Sequence, residues 1–122
     1  MNEIIALLIA LATHEFGHFI HYFALGFKPK FKWVGVGPCV DPEVKDIPVK
    51  HVIVNIFIAI TAGMLVLKYM HVSDIAMFAY FVGCFMDINN AQLILIYIWR
   101  KTITPNTNVN DIKVVICGKQ IN

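Results

Sequence analysis

The apolar residues of this chain fall into three long runs separated by short polar segments. The first run extends from about Glu3 to Leu25, the second from about Val52 to Leu67, and the third from about Ile75 to Trp99. A transmembrane helix needs roughly 20 predominantly apolar residues, so each run is a candidate span, although the second is somewhat short. The first run lacks a basic segment before it and a small-residue cleavage site after it, which favours a retained helix over a signal peptide.

The third run contains a polar interruption near its middle, Asp87-Ile88-Asn89-Asn90. Asp and Asn side chains compete with the backbone for hydrogen bonds, and irregular backbone at membrane depth is tolerated only where protein surrounds it. We therefore expect an unwound or kinked turn at these residues.

Three other stretches have the pattern of extended structure. Aromatic residues alternate with lysines from Phe27 to Trp33, which is typical of a strand lying at the membrane interface. Glycines and a proline then predict a turn, and the segment from Ile47 to Val49 is a candidate returning strand. Beyond the third run, a Thr- and Asn-rich loop precedes a strand-like run from Ile112 to Cys117.

The composition supports the membrane interpretation of this pattern. Hydrophobic residues make up 58% of the 122 residues and charged residues only 15%, whereas soluble domains have about half and about a quarter. We therefore predict a membrane α-helical fold with three transmembrane helices and a small extended or β segment at the cytosolic interface. One integral membrane domain accounts for residues 1–122. The net charge of +2 comes from lysines in loops, which gives no nucleic-acid-binding surface.

The distribution of basic residues predicts an orientation in the membrane. With three spans, the loop between the first two lies on the same side as the C-terminus. That side carries nine of the ten basic residues, and only Lys68 lies on the other. The positive-inside rule then places the N-terminus outside and the C-terminus in the cytosol, which fits a prokaryotic cytoplasmic membrane.

The three cysteines, Cys39, Cys84 and Cys117, are an odd number at wide spacing. They include no CxxC pair, which argues against a disulfide framework or a thiolate zinc site. Free thiols used as small apolar residues are the expectation for all three.

The first run contains the pentapeptide His14-Glu15-Phe16-Gly17-His18. Positions four apart lie on one face of a helix, so His14 and His18 can converge on one metal ion. Glu15 then lies next to the metal, where a carboxylate can take a proton from water. Ionisable groups are expensive at membrane depth and mark a functional site by default.

A catalytic zinc site has three protein ligands and an open position, so the two histidines need a partner. Asp87 is the only carboxylate in the middle of another span. His14 and Asp87 lie 14 and 13 residues before the cytosolic charges Lys28 and Arg100, about 20 Å along a helix in both cases. Cys84 competes as a thiolate ligand, but a carboxylate at mid-membrane needs a partner more than a thiol does.

At these residues the chain resembles the site-2 protease family of intramembrane zinc metalloproteases. The pattern from His14 to Phe19, followed by Gly26 and the stretch from Phe31 to Pro38, is similar to that of the family, and Asp87 is similar to its later aspartate ligand. The resemblance covers nearly the whole chain. It implies that Zn²⁺ is held by His14, His18 and Asp87.

We therefore expect a zinc metalloendopeptidase that cleaves a peptide bond in or near a membrane-spanning segment of a protein or peptide substrate, with Glu15 as the catalytic base. The alternative is a non-catalytic metal-binding sensor or scaffold with a degenerate motif. The substrate is expected to pair with the extended segment, and the candidate contacts are Phe31, Trp33, Val34, Val36 and, on the second helix, Asn55. The lipid bilayer is the other partner, and the sequence leaves the oligomeric state open.

Overall fold

A computed structural model describes residues 2–35, 37–105 and 114–121 of the chain. The described residues form four helices and two β-hairpins. In chain order, the elements are α1 (Glu3–Ala24), β1 (Lys30–Val34), β2 (Gly37–Asp41), α2 (Val49–Tyr69), α3 (Asp74–Gly83), α4 (Phe85–Ile103), β3 (Val114–Ile116) and β4 (Lys119–Ile121).

The first two helices agree with the first two apolar runs. The Asn2 side chain caps α1 by accepting a hydrogen bond from the backbone N–H of Ile4 at 3.0 Å. Gly26 follows the helix with a φ of +85°, a conformation that glycine adopts without strain. Both α1, with 22 residues, and α2, with 21, are long and apolar enough to cross a membrane.

The expected strand from Ile47 to Val49 is wrong. Pro48 occupies the N-cap position of α2, and Val49 is the first residue of that helix. Proline suits a helix start because its fixed φ matches the helical value and its missing N–H would have no intrahelical partner there. The second span is consequently longer than the apolar run from Val52 to Leu67.

The third span is broken, but the break precedes the predicted position. Helices α3 and α4 meet at Cys84 at an angle of 68°, so together they have the length and composition of one bent span or of a re-entrant loop. Asp87 lies in the first turn of α4, and the segment from Asp87 to Asn90 is helical. A carboxylate in the first turn is favourable because the free backbone N–H groups give that end a partial positive charge.

The helices pack through two groups of small and apolar residues. Gly17 allows α1 to approach α2 closely, since a Cβ at this position would lie 3.1 Å from the Cα of Ala59. One cluster around Tyr80 and Leu67 lies near the N-terminus of α1, and a second around Tyr22 and Ile94 lies towards the hairpins. Many large apolar side chains face outward, among them Ile75, Phe57 and Phe78, as expected for helices in lipid.

The extended segments form two antiparallel hairpins. Strand β1 pairs with β2, with Phe31 opposite Val40 and Val34 opposite Gly37. Strand β3 pairs with β4 through a turn at Cys117 and Gly118, both of which have positive φ. The predicted run from Ile112 to Cys117 therefore contains a strand, although Ile112 and Lys113 lie outside the described residues.

A disulfide joins the two hairpins and corrects the expectation of three free thiols. Cys39 is bonded to Cys117 across 78 residues of sequence, with their Cα atoms 5.7 Å apart, whereas Cys84 is free and buried. Wide spacing in the sequence does not prevent pairing when the fold brings two strands side by side.

Charged and polar contacts reinforce this junction. The Asp41 carboxylate accepts hydrogen bonds from Lys32 at 2.8 Å and Lys119 at 2.7 Å. Burial opposes ionisation of Asp41, but the hydrogen bonds from Lys119 and Lys32 outweigh it and lower the pKa of its carboxyl to about 2. The Asn90 side chain exchanges two hydrogen bonds with the backbone of Val115. The C-terminal hairpin is therefore attached to both β2 and α4.

Candidate metal centre

The two histidines of the motif lie on the face of α1 that packs inside the bundle. His14 is 3% exposed and His18 8%. They are separated by one turn, and Gly17 brings this part of α1 against α2. The periodicity of α1 thus determines the spacing of the two rings, and the glycine allows α2 to approach this part of α1 closely.

Three ligand atoms converge at this point. Asp87 Oδ2 lies 2.6 Å from His14 Nε2 and 2.8 Å from His18 Nε2. The two Nε2 atoms are 3.1 Å apart. Two imidazoles bound to zinc in tetrahedral geometry have their nitrogens about 3.3 Å apart, because each Zn–N bond is about 2.0 Å. The donor set and the nitrogen spacing therefore fit a divalent metal. Asp87 Oδ2 would have to move slightly further from the two nitrogens.

Glu15 lies at the edge of this group. Its Oε1 is 3.9 Å from His14 Nε2, and its side chain is 21% exposed. The Asp87 side chain is similarly open, at 19%. The group is thus enclosed on the side of the histidines and partly open on the side of the carboxylates, where a catalytic site needs room for water and substrate.

Cys84 is close to the centre but lies on the wrong side of His14 to be a ligand. Its Sγ is 3.6 Å from Nδ1 of His14, whereas Asp87 contacts Nε2 of the same ring. Among the described residues, the group that can share one ion consists of His14, His18 and Asp87.

Two further side chains contact the Nδ1 atoms of the histidines, on the side of each ring away from Asp87. The hydroxyl of Tyr80 is 3.1 Å from Nδ1 of His14, and the side-chain oxygen of Asn55 is 2.5 Å from Nδ1 of His18. Tyr80 is not among the site residues predicted from the sequence. The signal available was a tyrosine within an apolar span, since a buried hydroxyl needs a hydrogen-bond partner.

The candidate substrate contacts are only partly brought together. Phe31, Trp33 and Val34 lie on β1 and are 54%, 73% and 38% exposed. The Phe31 ring stacks at 4.9 Å on Phe19, so one side chain of β1 contacts α1 at the residue after His18. Val36 lies outside the described residues.

Asn55 is not available to a substrate. It is 1% exposed, and its amide nitrogen donates to the backbone oxygen of His18 at 3.2 Å and to Nδ1 of His21 at 2.9 Å. Together with the contact to His18 Nδ1, these bonds engage both the nitrogen and the oxygen of its amide.

Comparison with known proteins adds no relative to these observations. No protein-family model, curated protein or solved structure matches the chain.

Proposed function

We propose that this protein is an intramembrane zinc metalloendopeptidase of the site-2 protease type. The observation that carries the proposal is the convergence of His14 Nε2, His18 Nε2 and Asp87 Oδ2 within 3.1 Å of one another, with the Glu15 carboxylate beside them. Two or three apolar helices of spanning length surround this group.

Each member of the group has a defined part in the proposed hydrolysis. His14, His18 and Asp87 would hold the ion, and a bound ion would polarise the scissile carbonyl and lower the pKa of water towards about 7. Glu15 takes a proton from the attacking water and passes it to the leaving nitrogen. Its partly exposed position suits this exchange with substrate and water.

The proposed route of the substrate follows β1. A helix hides its own peptide bonds, so a membrane-spanning substrate must become extended before cleavage. In the described part of the chain β1 pairs only with β2, so its second edge can accept a substrate strand. The stacking of Phe31 on Phe19 connects β1 to the helix that carries His14 and His18.

The test compares metal content and peptide-bond cleavage in purified protein. The wild type in detergent, loaded with zinc and then desalted, should retain about one ion per chain, and the double variant His14→Ala/His18→Ala should retain none. The wild type reconstituted with transmembrane peptides should cleave one of them. Wild-type protein that retains no metal contradicts the site, and protein that retains metal without cleaving any of a broad peptide set favours the sensor or scaffold.

A further inference from the structure

The hydrogen bonds to Nδ1 of His14 and His18 determine which nitrogen of each neutral ring carries the proton. A neutral imidazole has one N–H donor and one lone pair, and the partners of its nitrogens determine which is which. Both rings face the centre with Nε2 and turn Nδ1 away from it. The groups that contact Nδ1 therefore determine what Nε2 can offer to an ion.

Asn55 fixes the proton of His18. The backbone oxygen of His18 can only accept, so the amide group 3.2 Å from it must be the NH₂ end of Asn55. The other end of the amide, the carbonyl oxygen, then faces His18 Nδ1. Because this oxygen has no hydrogen to give, Nδ1 must be the donor. In neutral His18, Nε2 consequently carries a lone pair.

Tyr80 acts in the same way on His14. The nearest acceptor to its hydroxyl is the backbone oxygen of Ile60 at 2.9 Å, and that of Ala59 lies at 3.4 Å. The hydroxyl donates its single hydrogen to this pair of carbonyls and presents a lone pair to His14 Nδ1 at 3.1 Å. At this shorter contact Nδ1 of His14 carries the hydrogen, which the Cys84 sulfur at 3.6 Å can also accept, and the Nε2 lone pair is directed at the centre.

The backbone of α2 makes room for this arrangement at Gly63. A Cβ on Gly63 would overlap the hydroxyl of Tyr80 and would lie 2.6 Å from its Cε2 atom. Tyr80 is fully buried, so its ring has no other space to occupy. Glycine at this position lets the α3 side chain reach across α2 to the back of His14.

We propose that Asn55 and Tyr80 are positioning residues, which hold His18 and His14 in the Nδ1–H tautomer so that both Nε2 lone pairs point at the metal. This inference rests on the proposed metal centre, but it does not require proteolysis. Partners of this kind on metal-bound histidines typically change metal affinity by about 10–100-fold.

The experiment measures Co²⁺ affinity and the visible d–d spectrum of the detergent-purified protein, by titration against a competing chelator. Asn55→Leu and Tyr80→Phe should each weaken Co²⁺ binding by ~10–100-fold and alter the spectrum. Tyr97→Phe, which removes a hydroxyl from another largely buried tyrosine, and Asn89→Leu, at an exposed position on α4, should bind like the wild type.

The variant Asn55→Asp distinguishes two roles of Asn55. One is to orient the His18 ring through Nδ1, and the other is only to connect α1 and α2 by hydrogen bonds. Aspartate keeps the acceptor for His18 Nδ1 but loses both donors to His18 O and His21. If positioning is what matters, Asn55→Asp should bind Co²⁺ much more tightly than Asn55→Leu.

Equal losses of Co²⁺ affinity in Asn55→Asp and Asn55→Leu would overturn the inference and leave the metal centre intact. Wild-type Co²⁺ affinity in Asn55→Leu and Tyr80→Phe would do the same. A wild type that binds no Co²⁺ would overturn both, and bound Co²⁺ without peptide cleavage would count only against the protease.

Discussion

The thiol of Cys84 lies behind His14, 3.6 Å from Nδ1, on the opposite side of the ring from the Nε2 atom that Asp87 contacts. This relationship separates the two candidates for the third metal ligand. We expect Asp87→Ala to weaken metal retention strongly and to abolish cleavage. Cys84→Ser should leave both nearly unchanged, since the serine hydroxyl remains behind the ring. Metal analysis of both variants after desalting tests this, and the reverse pattern would assign the ligand to Cys84.

Glu15 is expected to be needed for cleavage and not for metal binding. Its carboxylate is 3.9 Å from His14 Nε2, whereas Asp87 is in direct contact with both histidines. Glu15→Gln keeps the size of the side chain but cannot take the proton of water, so turnover should fall by at least about 100-fold with metal content unchanged. Wild-type turnover by Glu15→Gln would contradict the proposed role of base.

Gly63→Ala should disturb the metal centre although Gly63 contacts no ligand. The added methyl group would displace Tyr80 from its place against α2, which removes the partner of His14 Nδ1. We expect Co²⁺ affinity to fall about as much as in Tyr80→Phe, by ~10–100-fold. Gly83→Ala is the matched control, because the added atom would meet only the end of the flexible Leu11 side chain at 3.2 Å. Similar Co²⁺ affinities in the two alanine variants would mean that the space that Gly63 leaves for Tyr80 has no role in metal binding.

The ion pairs of Asp41 predict a pH-dependent contribution to stability. The folded state lowers the pKa of its carboxyl from 3.8 to about 2, so the contribution is complete above pH 3.8 and is lost as the pH falls towards 2. With the Cys39–Cys117 disulfide reduced, Asp41→Asn should lower the free energy of unfolding by on the order of 1 kcal/mol at neutral pH. The effect is this small because both lysines are partly exposed. Thermal unfolding midpoints of the two proteins should converge as the pH falls from about 4 towards 2. A constant difference down to pH 2 would contradict this pairing, and Asp46→Asn is the control.

The orientation in the membrane is a prediction from charge alone. A reporter fused after Asn122 should be cytosolic and one fused before Met1 external, because nine of the ten basic residues lie on the side of the C-terminus. Cytosolic thiols are normally kept reduced, so Cys39 and Cys117 should then react in cells with a membrane-permeant maleimide and not with an impermeant one. An external reporter signal at the C-terminus would reverse the orientation and place the disulfide in an oxidising compartment.

The sequence by itself determined the features that depend on local periodicity. Runs of apolar residues predicted the bounds of α1 and α2 to within a few residues, because a helix that crosses a membrane needs roughly 20 apolar residues. The four-residue spacing of His14 and His18 fixed their common face, because it is a property of any α-helix. Counting residues to Lys28 and Arg100 predicted that His14 and Asp87 lie at one level, and the structure places the two side chains in contact.

The tertiary structure decided whatever depends on how separate elements meet. The break at Cys84 comes before the polar residues that suggested it, since a helix start tolerates Asp87 in its first turn. The pairing of Cys39 with Cys117 required two hairpins to lie side by side. Asn55 and Tyr80 lie 37 and 66 residues from the histidines they contact. Their hydrogen bonds exist only because α1, α2 and α3 cross at the centre, and no local pattern encodes that crossing.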